Sequence, residues 1–315
     1  MRVLVHSPAR LHLGFLDMEG ELGRRFGSLG LTIEDLWTEL AVTSADAFSV
    51  TGAAEVARGR AMLDRLASAW KLPPLKVAIE RTIPAHAGLG SGTQLALALG
   101  AASAKLAGVE ASPRQVAQLL QRGTRSGIGI GAFEEGGFIL DGGRGTDGLP
   151  PPLVSRLTFP ADWRVLLIFD PAHEGLHGAG EDGAFHRLPP YTPELAGRLC
   201  RLVVMQLLPG IATVDLAAVG AAIGEIQRRV GDYFAPAQNG RFASPAVSEV
   251  LAWLEAAGVT GLGQSSWGPT GFAILAGEAQ AAALQGEAER RFGQQGLRFM
   301  VTRARNRGAE VEVVT

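Results

Sequence analysis

The chain has 315 residues, 47% of them hydrophobic and 19% charged, with a formal net charge of −2. That length suits two domains with sizeable cores, and the composition excludes a disordered chain. The near-neutral balance supplies no overall field for nucleic acid or an anionic membrane, so neither is expected as a partner.

RVLVHS (2–7) reads as a first strand. No basic segment with a long apolar run leads it, so no secretory signal is expected and a cytoplasmic location is. GLTIEDLWTELAVTSA (30–45) reads as one or two further strands, VARGRAMLDRLASAW (56–70) as a helix and PLKVAIERTIP (74–84) as a strand ended by proline. After the loop AHAGLGSG (85–92) a helix is expected from Thr93 to Ala107. SPRQVAQLLQRG (112–123) reads as a capped helix, with Ser112 at N-cap, Pro113 at N1 and Gln115 closing a capping box. The glycine-rich stretch SGIGIGAFEEGGFILDGGRG (126–145) reads as a tight turn followed by strands.

DGLPPPL (147–153) is the best boundary, because its prolines stop helix and central strand alike, giving domains 1–152 and 153–315. RVLLIFD (164–170) then reads as a buried strand. Helices are expected at 193–210, 215–231 and 244–258, a loop running into a strand at 261–275, a helix at 278–293 and a closing strand at 297–304. The only cysteine, Cys200, lies in the apolar run LCRLVVMQLL, which excludes an internal disulfide and a multi-cysteine metal site. No apolar run reads as long enough to span a bilayer. Strands and helices mix in both halves without strict alternation, so the fold class is α+β.

The stretch PAHAGLGSGTQLALALG (84–100) carries the clearest chemistry. Gly88, Gly90 and Gly92 let the backbone take positive φ and approach a ligand, and Ser91 and Thr93 add hydroxyls. The following helix is apolar on every face and should be buried, so its N-terminus would be a rigid anion seat. The bland alternative is a tight turn capping a core helix. No Gly-Lys-Ser/Thr follows, so the loop is not a Walker A motif. Among the basic residues only Lys71, Lys76 and Lys105 are lysines, so phosphate must rely on arginine and backbone N–H.

SPARLHLGFLDM (7–18) resembles the first motif of the GHMP kinase superfamily, and PAHAGLGSGTQ (84–94) its phosphate-cradling second motif, with Gly92 where many members carry serine. GLGQSSWGPTGFAI (261–274) stands where the third belongs. The resemblance implies a two-domain α+β fold, with an N-terminal half like the second domain of ribosomal protein S5 and a ferredoxin-like C-terminal half. In RSGIGIGAF (125–133), Gly129 replaces the aspartate that activates the acceptor hydroxyl in several of these kinases, and glycine cannot take a proton.

The segments RLHLGFLDMEGELGRRFGSLGL (10–31), RSGIGIGAFEEGGFILDGG (125–143), GLHGAGEDGAF (175–185) and GQSSWGPT (263–270) resemble a non-kinase branch, the β-ribofuranosylaminobenzene 5′-phosphate synthase family. That resemblance implies a reaction of methanopterin biosynthesis. Phosphoribosyl pyrophosphate and 4-hydroxybenzoate or 4-aminobenzoate would give a C-riboside 5′-phosphate, carbon dioxide and pyrophosphate. It also implies a homodimer, no nucleotide cofactor, and Mg2+ bridging the pyrophosphate, with no residue nominated as its ligand.

On this reading Gly88, Gly90, Ser91, Gly92 and Thr93 hold the departing pyrophosphate. Asp17 offsets positive charge on the sugar or takes the proton of the para group, and Arg24, favoured over Arg25, binds a phosphate or the carboxylate. Arg10 and His12 face one side if their segment is a strand; an arginine that only anchors the loop is the alternative. Ser126 and Gln264, Ser265, Ser266 and Trp267 are further substrate-binding candidates, the last four offering donors and a flat ring. HEGLH (173–177) matches a zinc-protease string, but Gly175 and the preceding Asp170-Pro171 make it a loop. His86 touches a phosphate or merely packs. The rival functions are an ATP-dependent small-molecule kinase and a silent phosphometabolite-binding regulator.

Overall fold

The computed structural model describes residues 1–175, 183 and 188–314. Strand β1 (Arg2–Asp17) is much longer than its first apolar alternation suggests and absorbs the first motif as far as Asp17. It runs antiparallel to β2 (Phe26–Ser44), with the register shifting between Pro8 and Arg10 and between His12 and Gly14. Proline lacks the ladder N–H and Gly14 takes φ +129°, so both shifts fall where the chain can bend.

β3 (Ser49–Gly52), β4 (Leu75–Arg81), β5 (Phe138–Asp141), β6 (Leu153–Leu157) and β11 (Glu310–Val314) complete a seven-stranded sheet. β6 follows the proline-rich segment 147–153, and β11 pairs with β1, so the chain returns to its first sheet at its end. The sequence reading stopped at 304 and missed β11, whose Glu-Val alternation sits at an exposed sheet edge.

Helix α1 (Val56–Trp70) and helix α2 (Ser91–Ala107) cover this sheet. α2 begins two residues earlier than expected, and Leu95, Leu97 and Leu99 are all buried, as an all-round apolar helix requires. Each such leucine contributes about 2 kcal/mol by leaving water. α3 (Pro113–Leu119) has the expected capping box, with both reciprocal bonds between Ser112 and Gln115. The stretch 126–145 corrects the expectation of a turn and strands: Ile128–Glu134 forms helix α4 before β5. Packing overrides the poor helix propensity of its glycines. A Cβ on Gly129 would lie 2.8 Å from Thr93 Cγ2, and one on Gly131 3.1 Å from Ile139.

The second sheet has β7 (Arg164–Phe169), β8 (Leu262–Gln264), β9 (Gly271–Leu275) and β10 (Arg298–Thr302) in the antiparallel order β10-β7-β9-β8. Leu166 and Ile168 of β7 face α8 (Pro245–Ala256) and α9 (Glu278–Phe292), whereas Val165 and Leu167 face the main core. Burial on both faces explains the unbroken apolar run.

α5 (Pro193–Leu202) continues through a π-helical turn (Val203–Leu207) into α6 (Leu208–Ala212), and α7 (Leu216–Gln238) packs on β1. The continuous segment Pro193–Ala212 is long and apolar enough to cross a membrane, with mean hydropathy 1.4, where the sequence reading saw no such run. Here Leu199, Leu202, Val203, Leu207 and Ile211 are buried in the main core. The architecture is α+β, as expected.

Candidate active site

The three motifs meet backbone to backbone. Gly88 has φ +80°, and a Cβ there would stand 2.1 Å from the Ser265 carbonyl oxygen. In return, a Cβ on Gly268 would lie 2.3 Å from the Gly88 nitrogen. Ser265 Oγ donates to the Gly88 carbonyl at 2.8 Å and accepts from the His12 amide at 3.0 Å, while the Ser266 amide donates to the His12 carbonyl at 3.0 Å. Arg10 Nη1 donates to the Gly88 carbonyl at 2.5 Å, and the Arg10 amide to the Leu89 carbonyl at 3.2 Å. Arg10 thus anchors the loop, and it also lines the cleft in front of it.

These bonds orient the loop. The carbonyls of His86, Ala87, Gly88 and Leu89 are all held by protein donors, from Gly175, Thr270, Arg10 and Ser265. In a trans peptide the N–H points opposite its carbonyl, so tying these carbonyls back directs the N–H groups that follow them away from the protein donors, as an anion nest requires. At the start of α2, the amides of Thr93 and Gln94 bond the Gly90 carbonyl, leaving those of Ser91 and Gly92 at the open helix end. Gly90 takes φ +87°, which glycine alone adopts without strain.

Two arginines that the sequence reading missed flank this end. A Cβ on Gly92 would be 3.6 Å from Nη1 of both Arg58 and Arg122. Glu55 pairs with Arg58 at 2.9 Å, and Arg122 Nε is buried with no hydrogen-bond partner. Burial, with Arg58 and Arg65 nearby, pushes the Arg122 guanidinium below its ordinary pKa, opposed by Glu55. An anion between them would relieve that repulsion. The arginine-rich, lysine-poor composition was the only sequence signal for them, because α1 and the 122 turn meet only in the fold. The cleft is lined by Arg10, Arg58, Arg122, His86, the loop from Gly88 to Thr93, and Ser266 to Gly268.

This donor set does not fit a protein-held Mg2+. The ion wants carboxylate and carbonyl oxygens, whereas the cleft presents arginines and N–H groups, and its nearby carboxylate, Glu55, is engaged by Arg58. Among the described residues no group of three His, Cys, Asp or Glu is arranged to hold a metal. His173 begins in a turn on Asp170, not on a helix, and His177 and most of 175–185 lie outside the described residues.

Beside the cleft, sharing Ser266 and Trp267 with it, a narrow pocket opens between β1 and α7. His12 lies in its lining, 4% exposed, and is kept neutral, its pKa lowered to about 3 by burial and by Arg10. Trp267 packs on Phe234 with ring centroids 4.4 Å apart. Gln264 is engaged within the protein: its amide bonds Ala243 N, Gln238 and the Ser266 carbonyl.

The remaining candidates lie elsewhere. Ser126 Oγ contacts Ser28 Oγ at 2.6 Å and accepts from Ile128 N at 3.2 Å, just ahead of α4. Both serines bond Asp141, a buried carboxyl pushed up by desolvation against its bonds to Ser28, Gly143 and Gly127. Asp17 ends β1, roughly 15 Å along the strand from His12. Its Oδ1 accepts from Glu19 N and Gly20 N, each at 3.0 Å. Arg24 donates Nε to the Gly142 carbonyl at 2.8 Å and Nη2 to that of Gly143 at 2.9 Å. The fold therefore gathers Arg10, His12, the glycine loop and Gln264–Trp267, whereas Asp17, Arg24 and Ser126 line neither the cleft nor the pocket.

GHMP kinase N-terminal and C-terminal domain families match residues 50–137 and 207–294. Over 98% of its length the chain is 31% identical to a β-ribofuranosylphenol 5′-phosphate synthase of Archaeoglobus fulgidus, covering 99% of that protein. It is 29% identical to the protein of that name from Methanothermobacter thermautotrophicus, covering 98% of each. Among solved structures, a homoserine kinase from Cytophaga hutchinsonii superposes with TM-score 0.72 at 18% identity, covering 99% of this chain and 97% of that one. A mevalonate diphosphate decarboxylase from Enterococcus faecalis superposes at 0.69 and 16%, covering 100% and 99%. These two likenesses show the shared fold.

Proposed function

Because the chain belongs to the β-ribofuranosylphenol 5′-phosphate synthase family, we propose that this enzyme transfers phosphoribose from phosphoribosyl pyrophosphate to a para-substituted benzoate, with loss of carbon dioxide. The observation that carries the reading is the cleft lined by the glycine loop and three arginines, Arg10, Arg58 and Arg122, at the start of a buried helix. It suits a diphosphate that leaves. Preorganised donors aimed at developing negative charge are the commonest large contribution to catalysis. Mg2+ enters as the diphosphate's own counter-ion.

The bond changes balance without a net proton. The bond from sugar C1 to the pyrophosphate oxygen breaks, and its electrons leave with pyrophosphate. The ring carbon bearing the carboxylate supplies the pair for the new C–C bond. Loss of carbon dioxide returns a pair to the ring and restores aromaticity. The chain's tasks are to hold the leaving group, orient the arene, and place negative charge near the sugar. Asp17 is our candidate for the last on the family likeness alone, since it lines neither the cleft nor the pocket; its Oδ1 is held by Glu19 N and Gly20 N. Arg24 is a candidate on the same ground, with Nε and Nη2 held by the Gly142 and Gly143 carbonyls. The relatives are named for a phenol product, which favours 4-hydroxybenzoate over 4-aminobenzoate.

A kinase reading has less support. At Gly129 an aspartate side chain would collide with Thr93, so α4 is packed for a residue without one. We take methanopterin biosynthesis as the pathway, the cytoplasm as the compartment and a homodimer as the assembly, on the family likeness. The deciding assay supplies phosphoribosyl pyrophosphate with carboxyl-labelled 4-hydroxybenzoate and traps labelled carbon dioxide. Release of label dependent on both substrates is expected. No release, with phosphate passing from ATP to an alcohol, would establish a kinase instead.

A further inference from the structure

We propose that the narrow pocket between α7 and the Ser266–Trp267 turn receives the aromatic acceptor para substituent first, with His12 Nε2 accepting a hydrogen bond from that substituent. This rests on the arene-ribosylating reading above and assigns that reaction's second substrate to a place. Phe15, Phe234 and Trp267 line the pocket together with Val230 and His12. The Phe234 and Trp267 planes meet at 60°, and those of His12 and Phe15 at 63°, so the lining presents both ring faces and ring edges. The pocket is narrow, with room for the para substituent and the leading edge of a flat ring, whose faces and edges the lining would meet.

The His12 imidazole supplies the polar end. Its Nε2 is buried and has no hydrogen-bond partner, a costly condition in a folded protein. The ring also bonds the residue's own backbone, which leaves Nε2 as the lone-pair nitrogen of a neutral imidazole. A lone pair requires a donor, and both a para hydroxyl and a para amine are donors. The one guanidinium in the lining, that of Arg241, is already paired with Asp232 at 2.7 Å. The pocket therefore favours the neutral end of the acceptor over its carboxylate.

That orientation serves the chemistry. Ser266 and Trp267 line both the pocket and the phosphate cleft, so a para-first arene points its carboxylate-bearing carbon toward the sugar. As the new C–C bond forms, positive charge spreads onto the para oxygen or nitrogen, and its hydrogen becomes more acidic. An acceptor at Nε2 stabilises that charge without keeping the proton, because loss of carbon dioxide relieves it within the same sequence. His12 is thus a catalytic residue of low basicity.

The test is calorimetric binding, with pyrophosphate present, of 4-hydroxybenzoate and of 4-fluorobenzoate, a near-isostere without the donor. The wild-type protein is expected to prefer the hydroxyl compound about tenfold. His12→Phe should bind the two equally, and Val230→Phe should weaken both about tenfold while binding phosphoribosyl pyrophosphate within about twofold of wild type. Equal binding of the two benzoates by wild type, or a preference retained in His12→Phe, overturns the assignment. So does unchanged benzoate binding in Val230→Phe. Should His12→Phe fail to fold by circular dichroism, the wild-type ligand pair and Val230→Phe still decide. Preference without carbon dioxide release in the labelled assay sinks the proposed reaction and keeps the pocket; release without preference sinks the pocket alone.

Discussion

The glycine-loop cleft and the tip of the β1–β2 hairpin both belong to the family-like signatures, yet they are built differently. In the cleft, carbonyls are tied back, glycines hold positive φ, and a buried Arg122 Nε lacks a partner. At the hairpin tip, Asp17 and Arg24 are each half-satisfied by nearby backbone and sit at the surface end of a strand. The cleft carries buried, unmet bonding capacity that a bound anion would fill. The hairpin carries capacity that water could meet equally well. Burial makes an unsatisfied donor informative, and exposure makes it ambiguous.

The most severe way to break the cleft is Gly88→Ala. The added Cβ would press on the Ser265 carbonyl and on Gly268, both backbone, at a residue with φ +80°. Strain and lost contact together should cost several kcal/mol of stability, as steric and left-handed backbone penalties combine. No measurable turnover and a clearly lower melting temperature are expected; a protein of wild-type melting and activity would mean the two motifs do not need this contact.

Asp17→Asn asks whether the hairpin belongs to the reaction at all. The variant keeps an oxygen for the bonds to Glu19 and Gly20, so the fold should survive while kcat falls about 10³-fold. A wild-type rate would remove Asp17 from the mechanism and leave the cleft as the whole site. Arg122→Gln comes next in size. Loss of a buried cation beside the leaving group should lower kcat/KM for the ribosyl donor about 10²-fold without altering binding of the benzoate. Arg24→Ala should raise the substrate requirement about tenfold or stop the reaction. Equal kinetics for wild type and Arg24→Ala would make it a brace for the Gly142–Gly143 carbonyls and nothing more.

Most of the elements were legible because their signals are local. The capping box at Ser112, the proline after β4 and the buried run of β7 all act within a few residues. The 128–134 helix was not legible, since its glycines argue against a helix until Thr93 and Ile139 are packed against them. β11 was missed for a related reason: its register exists only against β1. The site divides likewise. Gly88 to Thr93, Arg10 and Trp267 carry motif patterns, whereas Arg58 and Arg122 lie 64 positions apart and converge only at the start of α2. Gln264 lines the pocket yet spends its amide on Ala243, Gln238 and Ser266, and Ser126 bonds Ser28 and Ile128, partners that a polar residue in a motif does not reveal.

The smallest expected effect is on stability and sharpens the cleft's side of the comparison. His12 is buried and its pKa falls from 6.5 to about 3, so folding favours the neutral ring. The sign follows from linkage: the unfolded state binds the proton more readily, so this contribution is complete above pH 6.5 and is lost as pH falls toward 3. Between about pH 7.5 and 5 the unfolding free energy should drop by about 2 kcal/mol from this residue. Glu225 works in the same direction, because Arg198 and Arg229 lower its pKa to about 2, but its window opens only below its ordinary 4.5. Asp141 and Glu134, whose carboxyls burial pushes up, act in the opposite sense, so between about pH 7.5 and 5 the histidine's share is the difference between wild type and His12→Phe. Urea unfolding of wild type and His12→Phe across that interval is the measurement. A steeper loss of stability in wild type than in the variant is expected, whereas parallel curves would mean that the imidazole reaches solvent or a partner and is not the buried lone pair that the pocket requires.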